Sequence, residues 1–406
     1  MNDILAGLRV VEGSAFVAAP LAGMTLAQLG ADVIRFDPAG GGIDYRRWPV
    51  TSDGRSLYWA GLNKGKRSIA VDIRRPEGRE LVTALITEPG PDAGIFLTNF
   101  PAAGWLGYEA LRERRRDLIM LAITGNRDGS SEVDYTVNCA TGLPFMTGGE
   151  GEAGPVNHVL PAWDLVTGLT AVNGLLAAER RRRLTGEGQR VSLALSDIAF
   201  ATMGHLGLIA EFQVNGEERP RYGNDLYGAF GRDFETKDGR RIYLLAITRR
   251  QWKALVEVTG IAGPLGRIEQ ALDVDLDEEG DRFRARDEIA GLLEPWCAER
   301  GLDEISETFK GSGVCWGPYR TIGAMLSEDE RCSAASPLFE TVDQPGVGRF
   351  LMPGSPLDFS GAPRTAVRPA PVLGQHTDEI LETVLGLSRR EIGDLHDKGI
   401  VKGETP

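Results

Sequence analysis

The N-terminal stretch Gly7-Leu8-Arg9-Val10-Val11-Glu12-Gly13-Ser14-Ala15-Phe16-Val17-Ala18-Ala19-Pro20 opens as a short strand and passes through a turn of small residues. Pro20 suits the first turn of a helix, which runs through Leu29 and is closed by Gly30. Ala31-Asp32-Val33-Ile34-Arg35-Phe36-Asp37 then reads as a second strand ending on an acid. A β-α-β unit of this kind suggests a dinucleotide site. The first turn lacks Gly-x-Gly-x-x-Gly, however, and with it the close backbone approach to a pyrophosphate. NAD or FAD binding is therefore not expected.

The alternation continues. Pro76 starts another helix, Ala93–Leu97 and Leu118–Ile123 read as buried strands, and Arg190–Leu195 as a further one. Strands alternating with helices over roughly the first half of the chain argue for α/β architecture. In a doubly wound sheet the loops after parallel strands carry ligand contacts, which singles out Asn99, Phe100 and Gly125.

At 406 residues the chain is too long for one compact core, and its 42% hydrophobic and 25% charged content is that of a globular protein. A formal net charge of −13 disfavours a general nucleic-acid binder. No apolar run has bilayer-spanning length, and the N-terminus lacks a basic-then-apolar signal, so a cytoplasmic location without membrane association is expected. The four cysteines (Cys139, Cys297, Cys315, Cys332) and four histidines (His158, His205, His376, His396) are scattered. Neither a disulfide framework nor a metal site is expected from them.

A second stretch carries the chemistry. In His158-Val159-Leu160-Pro161-Ala162-Trp163-Asp164, Asp164 stands at or just before the first turn of a helix whose apolar residues Leu165, Leu169, Val172, Leu175 and Leu176 recur at helical spacing. Bare amide groups and the positive end of the helix dipole favour an ionised carboxylate there unless burial dominates. That suits a carboxylate nucleophile, and it equally suits an ordinary helix cap. Arg46, Arg47, Lys64, Lys66 and Arg67 concentrate positive charge in an acidic protein, as a phosphorylated ligand requires or as a solvated loop allows. From 215 to 224 the chain is polar and turn-rich. A second region with an Asp238-Gly239 hairpin turn and helices around 251–258 and 284–299 follows, then a Pro- and Gly-rich tail with two final helices.

In order, these pieces resemble the class III CoA-transferase family. The likeness rests on Leu8-Arg9-Val10-Val11-Glu12, Leu29-Gly30-Ala31-Asp32-Val33-Ile34, Asn63-Lys64-Gly65-Lys66-Arg67-Ser68-Ile69 and Thr98-Asn99-Phe100. It continues through Asp164, Leu184–Gln189, Gln344-Pro345-Gly346, Pro353-Gly354-Ser355-Pro356 and Leu373–Leu381, covering nearly the whole chain. It implies a Rossmann-like large domain (1–214) completed by the C-terminal segment (331–406), a smaller α+β domain with its linkers (215–330), and an interlocked homodimer. It further implies an acyl-CoA substrate, no cofactor beyond the CoA of that substrate, and Asp164 as the nucleophile that forms an aspartyl intermediate. CoA would be held by Phe16, Val17, Ala18, Lys66, Arg67, Asn99 and Phe100, and a substrate carboxylate by Arg46 and Arg47.

Within the family, the blocks Arg9–Pro20, Asp44–Thr51, His158–Asp164 and Tyr227–Thr236 are similar to members that move CoA between the two carboxyls of one mesaconate molecule. Members that serve two separate acids often carry a glycine-rich loop where this chain reads Arg221-Tyr222-Gly223-Asn224-Asp225-Leu226-Tyr227-Gly228, a bulkier segment suited to a single substrate. An Arg-Met pair that often follows the Asn-Phe motif is missing here, with Trp105-Leu106 nearby. Intermolecular transfer between small acids is the alternative. The racemase branch is a weaker one, because Glu132-Val133-Asp134-Tyr135-Thr136 holds no His to serve as its base.

Overall fold

The computed structural model describes residues 2–404, so Met1 and the last two residues of the 331–406 segment lie outside it. In chain order the strands are β1 (Arg9–Gly13), β2 (Asp32–Asp37), β3 (Arg67–Val71), β4 (Ile95–Thr98), β5 (Ile119–Thr124), β6 (Gln189–Ala194), β7 (Phe230–Glu235), β8 (Arg241–Ala246), β9 (Cys315–Pro318), β10 (Phe339–Gln344), β11 (Gly348–Pro353) and β12 (Val401–Lys402). The chain folds into two compact units. The first takes the residues up to Thr141, Val159–Ala210 and the segment from Glu330, and the second takes Gly142–His158 and Glu211–Asp329. The loop 142–158, expected from sequence to belong with the N-terminal segment, thus packs with the second unit.

The first unit is built on a sheet of order β12-β3-β2-β1-β4-β5-β6. All its pairings are parallel except that β12 runs antiparallel to β3, so the end of the chain closes one edge. The order reverses between β1 and β4, and the loops after those two strands flank the crevice where doubly wound sheets receive ligands. Burial on both faces explains the nearly continuous apolar runs of β4 and β5. One face packs Val11, Ile34, Phe36, Ile69 and Phe96 with the helices Pro76–Ile86 and Thr377–Thr383. The other packs Val10, Val33, Ile95 and Leu121 with the helices Ala18–Gln28 and Ala162–Thr185.

Those last two helices touch through their smallest residues. A Cβ on Gly168 would stand 2.7 Å from the Ala18 carbonyl oxygen, so only glycine permits this approach. The second unit is α+β by its own content. The antiparallel sheet β7-β8-β9 packs Phe230, Phe234, Ile242 and Leu244 against Trp252, Leu255, Ile289 and Leu293 from the helices Arg249–Thr259 and Arg286–Ala298. Among the features not foreseen from sequence are the helices Ala262–Leu272 and Leu302–Phe309 and the hairpin β10-β11. Among the described residues no helix is long and apolar enough to cross a membrane.

Gly168→Ala should lower stability by roughly 1–3 kcal/mol despite alanine's better helix propensity, because the clashing atom is backbone and cannot swing away. Denaturant unfolding of the variant would measure it.

Candidate active site

Asp164 is the third residue of the helix Ala162–Thr185. Its backbone N–H donates to Asp134 Oδ2 at 3.0 Å, so a second carboxylate caps this helix start from outside. Asp134 is buried, and its Oδ1 has no hydrogen-bond partner. The Asp164 side chain is half-buried, and no described residue donates a hydrogen bond to its carboxylate. Burial first, and then the Asp134 charge, push its carboxyl up to about 7, with Arg47 pulling the other way. The helix dipole expected to keep it ionised is outweighed by desolvation and like charge. The result is an unpartnered acid that gains its charge near neutrality.

Arg47 faces this acid from the loop between β2 and the helix Leu57–Leu62. Its guanidinium carbon lies 5.1 Å from the Phe16 ring centroid and 5.3 Å from that of Tyr58. Ser56 organises the arrangement: its hydroxyl donates to the Arg47 carbonyl at 2.6 Å and accepts from Trp59 N at 3.0 Å, capping the helix that carries Tyr58. Burial pushes the Tyr58 phenol up to about 12, with Arg47 opposing it and Asp164 reinforcing it, so Tyr58 remains a hydrogen-bond donor at neutral pH.

Beneath these side chains lies a buried cluster of charges. Arg35 donates to Asp37 (3.0 and 3.1 Å), Asp44 (2.8 Å), Asn63 (3.1 Å) and the Ser14 carbonyl (3.0 Å), and sits 4.4 Å from the Trp59 ring. Burial works against its charge, but Asp37, Asp44 and Glu12 outweigh it and hold Arg35 firmly protonated. One guanidinium thereby ties the loop after β1 to the loop that presents Arg47. Asn99, at the end of β4, completes the support: its Oδ1 accepts from Ala15 N at 2.9 Å and its Nδ2 donates to the Ala15 carbonyl at 2.8 Å.

The residues singled out in the sequence are therefore dispersed. Asp164, Arg47 and Phe16 come together, with Asn99 behind them. Lys66 does not face a ligand: it is buried, and its ammonium is spent on Glu12 (2.7 Å), the Pro20 carbonyl (2.9 Å) and Asn63 (2.9 Å). Burial pushes Lys66 down to about 8, with Glu12 opposing the fall. Arg67 pairs with Asp32, which opens β2, and with Glu379, placing its charge toward the amino ends of the strands. Arg46 turns away from its neighbour into a separate cleft of about 380 Å³ shared with Arg55, Trp59 and Gln344. Val17 and Ala18 are buried, Ala18 in the core, and Phe100 packs edge-on against Phe36 at 6.2 Å. Tyr58 and Asp134 were missed. Asp134 stood in the segment already noted upstream of Asp164, but nothing local showed that it would cap a helix thirty residues on.

Lys66→Met should cost about 3–5 kcal/mol of stability by leaving Glu12 buried and unpaired, visible as a lower thermal midpoint. Asp164→Asn should do the opposite, with a pH signature. A carboxyl near 7 in the fold and ~3.9 when unfolded binds its proton more tightly in the folded state. The penalty for ionising it grows as pH rises from about 4 to 7. The variant's thermal midpoint should exceed the parent's at pH 8 and match it at pH 4.

The model of CoA-transferase family III matches residues 5–377. The chain is 62% identical over 404 residues to 2-methylfumaryl-CoA isomerase of Chloroflexus aurantiacus, covering 99% of each sequence. It is 29% identical to human succinyl-CoA:glutarate CoA-transferase, across 99% of this chain and 91% of that one. Among solved structures, a CAIB/BAIF family protein from Brucella suis superposes with a TM-score of 0.77 at 26% identity, covering 95% of this chain and 100% of that one. The chain belongs to CoA-transferase family III.

Proposed function

We propose that this chain is a 2-methylfumaryl-CoA isomerase, an intramolecular transferase that moves CoA between the two carboxyls of mesaconate. The observation that carries this reading is the unpartnered Asp164 carboxylate beside the Arg47 guanidinium, in a chain 62% identical over its length to an enzyme of that name. A nucleophile and a carboxylate receptor side by side suit a substrate that has a thioester at one end and a free acid at the other.

In this reading Asp164 attacks the thioester carbonyl. The C–S bond breaks, CoA leaves as thiolate, and a mixed anhydride forms. The thiolate then attacks the aspartyl carbonyl, which releases mesaconate and leaves an aspartyl-CoA thioester. The other carboxylate of the retained acid attacks that thioester, and the sequence runs back to give the isomeric thioester and free Asp164. No net proton or electron is consumed, so the chemistry requires no cofactor beyond CoA. Covalent catalysis divides the exchange into easier steps, and retention of the acid makes the second attack effectively intramolecular. In this reading the CoA arm approaches beside the Asn99-Phe100 turn, at the carboxyl ends of β1 and β4.

The protein acts in this reading as a cytoplasmic homodimer of interlocked subunits. Val159, Leu160, Val166, Leu169, Phe200 and Leu206 are exposed apolar side chains that a subunit interface would cover. Transfer to a separate acid, the kind of activity named for relatives near 29% identity, is the second reading.

Incubation with mesaconyl-CoA alone should interconvert its two regioisomers, read by chromatography, with no added acid. Turnover that waits for an external carboxylate would favour the second reading. Asp164→Ala should abolish the exchange while CoA binding persists, and hydroxylamine should trap the aspartyl adduct only in the parent.

A further inference from the structure

Among the described non-glycine residues only Phe16 and Asp273 have positive φ, and Phe16 sits at +66°. An aromatic residue is disfavoured there because its Cβ crowds the neighbouring carbonyl. Such a conformation persists only where its surroundings over-determine it, and here they do so on three consecutive residues. The Gly13 carbonyl accepts from Thr98 Oγ1 at 2.7 Å, the Ser14 carbonyl from Arg35 at 3.0 Å, and Ala15 is held at both its N–H and its carbonyl by Asn99. The core does not require the ring that results. Phe16 is half-exposed, while its neighbours Ala15 and Val17 are buried.

What the strained backbone achieves is the position of that ring. It stands 5.1 Å from the Arg47 guanidinium carbon, which also lies 5.3 Å from the Tyr58 ring. Arg35, only a short way along the chain, is neutralised by Asp37 and Asp44. Arg47 makes no ion pair with any described residue; the Phe16 and Tyr58 rings flank it, and its side chain also hydrogen-bonds that of Tyr58. Aromatic faces attract a cation without occupying its in-plane N–H donors. The guanidinium donors not engaged by Tyr58 therefore stay available to a carboxylate.

We propose that Phe16 is the specificity-determining positioning residue of this enzyme: with Tyr58 it forms the aromatic seat that holds Arg47 unpaired for the second carboxylate of a dicarboxylic acyl-CoA. The proposal rests on Arg47 being the carboxylate receptor, as argued above, and reassigns Phe16 from lining the CoA path to orienting that receptor.

Glycine at position 16 removes the ring and also relieves the backbone, which separates function from folding. Phe16→Gly should keep or raise the thermal midpoint while increasing KM for mesaconyl-CoA by about tenfold. Phe16→Tyr, which retains the aromatic face, should recover most of that loss. Arg47→Met should raise KM by about a hundredfold. If Phe16→Gly folds and keeps the parent KM while Arg47→Met does not, the seat is overturned and Arg47 stands as receptor. If neither variant changes KM, the assignment of Arg47 itself fails. Should Phe16→Gly not fold, Phe16→Leu keeps bulk without a π face and carries the test, with a KM at the parent value counting against the proposal.

Discussion

The site depends on one buried guanidinium. Arg35 leaves the middle of β2, where a sheet interior would ordinarily hold an aliphatic side chain, and spends its donors on Asp37, Asp44, Asn63 and the Ser14 carbonyl. A charge without solvent is tolerable only when such partners surround it. Asp37 lies on the same strand, but Ser14, Asp44 and Asn63 come from three separate loops, so satisfying Arg35 brings those loops together. Lys66 and Glu12 extend the same cluster, and the Pro369 carbonyl anchors the adjoining Gly65 at 3.0 Å. The chain's C-terminal segment thus helps to hold a site assembled mostly from its first hundred residues.

Above that cluster two opposite electrostatic solutions stand close together. The lower level is closed, with its charges paired and shielded. The upper level is open: Asp164 lacks a hydrogen-bond donor, Asp134 adds like charge behind it, and Arg47 rests on aromatic rings without an acidic partner. An acid poised near neutrality and a cation without an ion-pair partner are poor stability elements and good chemical ones, since perturbed groups of this kind collect where reactions occur. The closed layer bears the cost of holding the open one in place.

Much of this was legible in the chain. The β-α-β alternation, the helix start at Asp164 and the loops after β4 and β5 follow from periodicity and turn chemistry, and the family resemblance spans nearly every segment. The cationic residues were the weak point. Arg46 and Arg47 are adjacent and chemically identical, yet one lines a separate cleft and the other faces Asp164. Lys66 and Arg67 look like phosphate ligands in a basic run, but their partners Glu12 and Asp32 lie more than thirty residues away. Neither a local pattern nor a motif records which acid a lysine will meet.

Sequence alone settled what is local: apolar period, helix starts, turn residues, and the presence of a carboxylate at a helix N-terminus. These depend on neighbours within a few positions, and such forces act before the chain closes on itself. The tertiary structure decided which charges were consumed and which were left available, how far burial lifted the Asp164 carboxyl, and where a left-handed Phe16 would aim its ring. Desolvation and ion pairing are properties of a position in space, set by residues that only folding brings within a few ångströms.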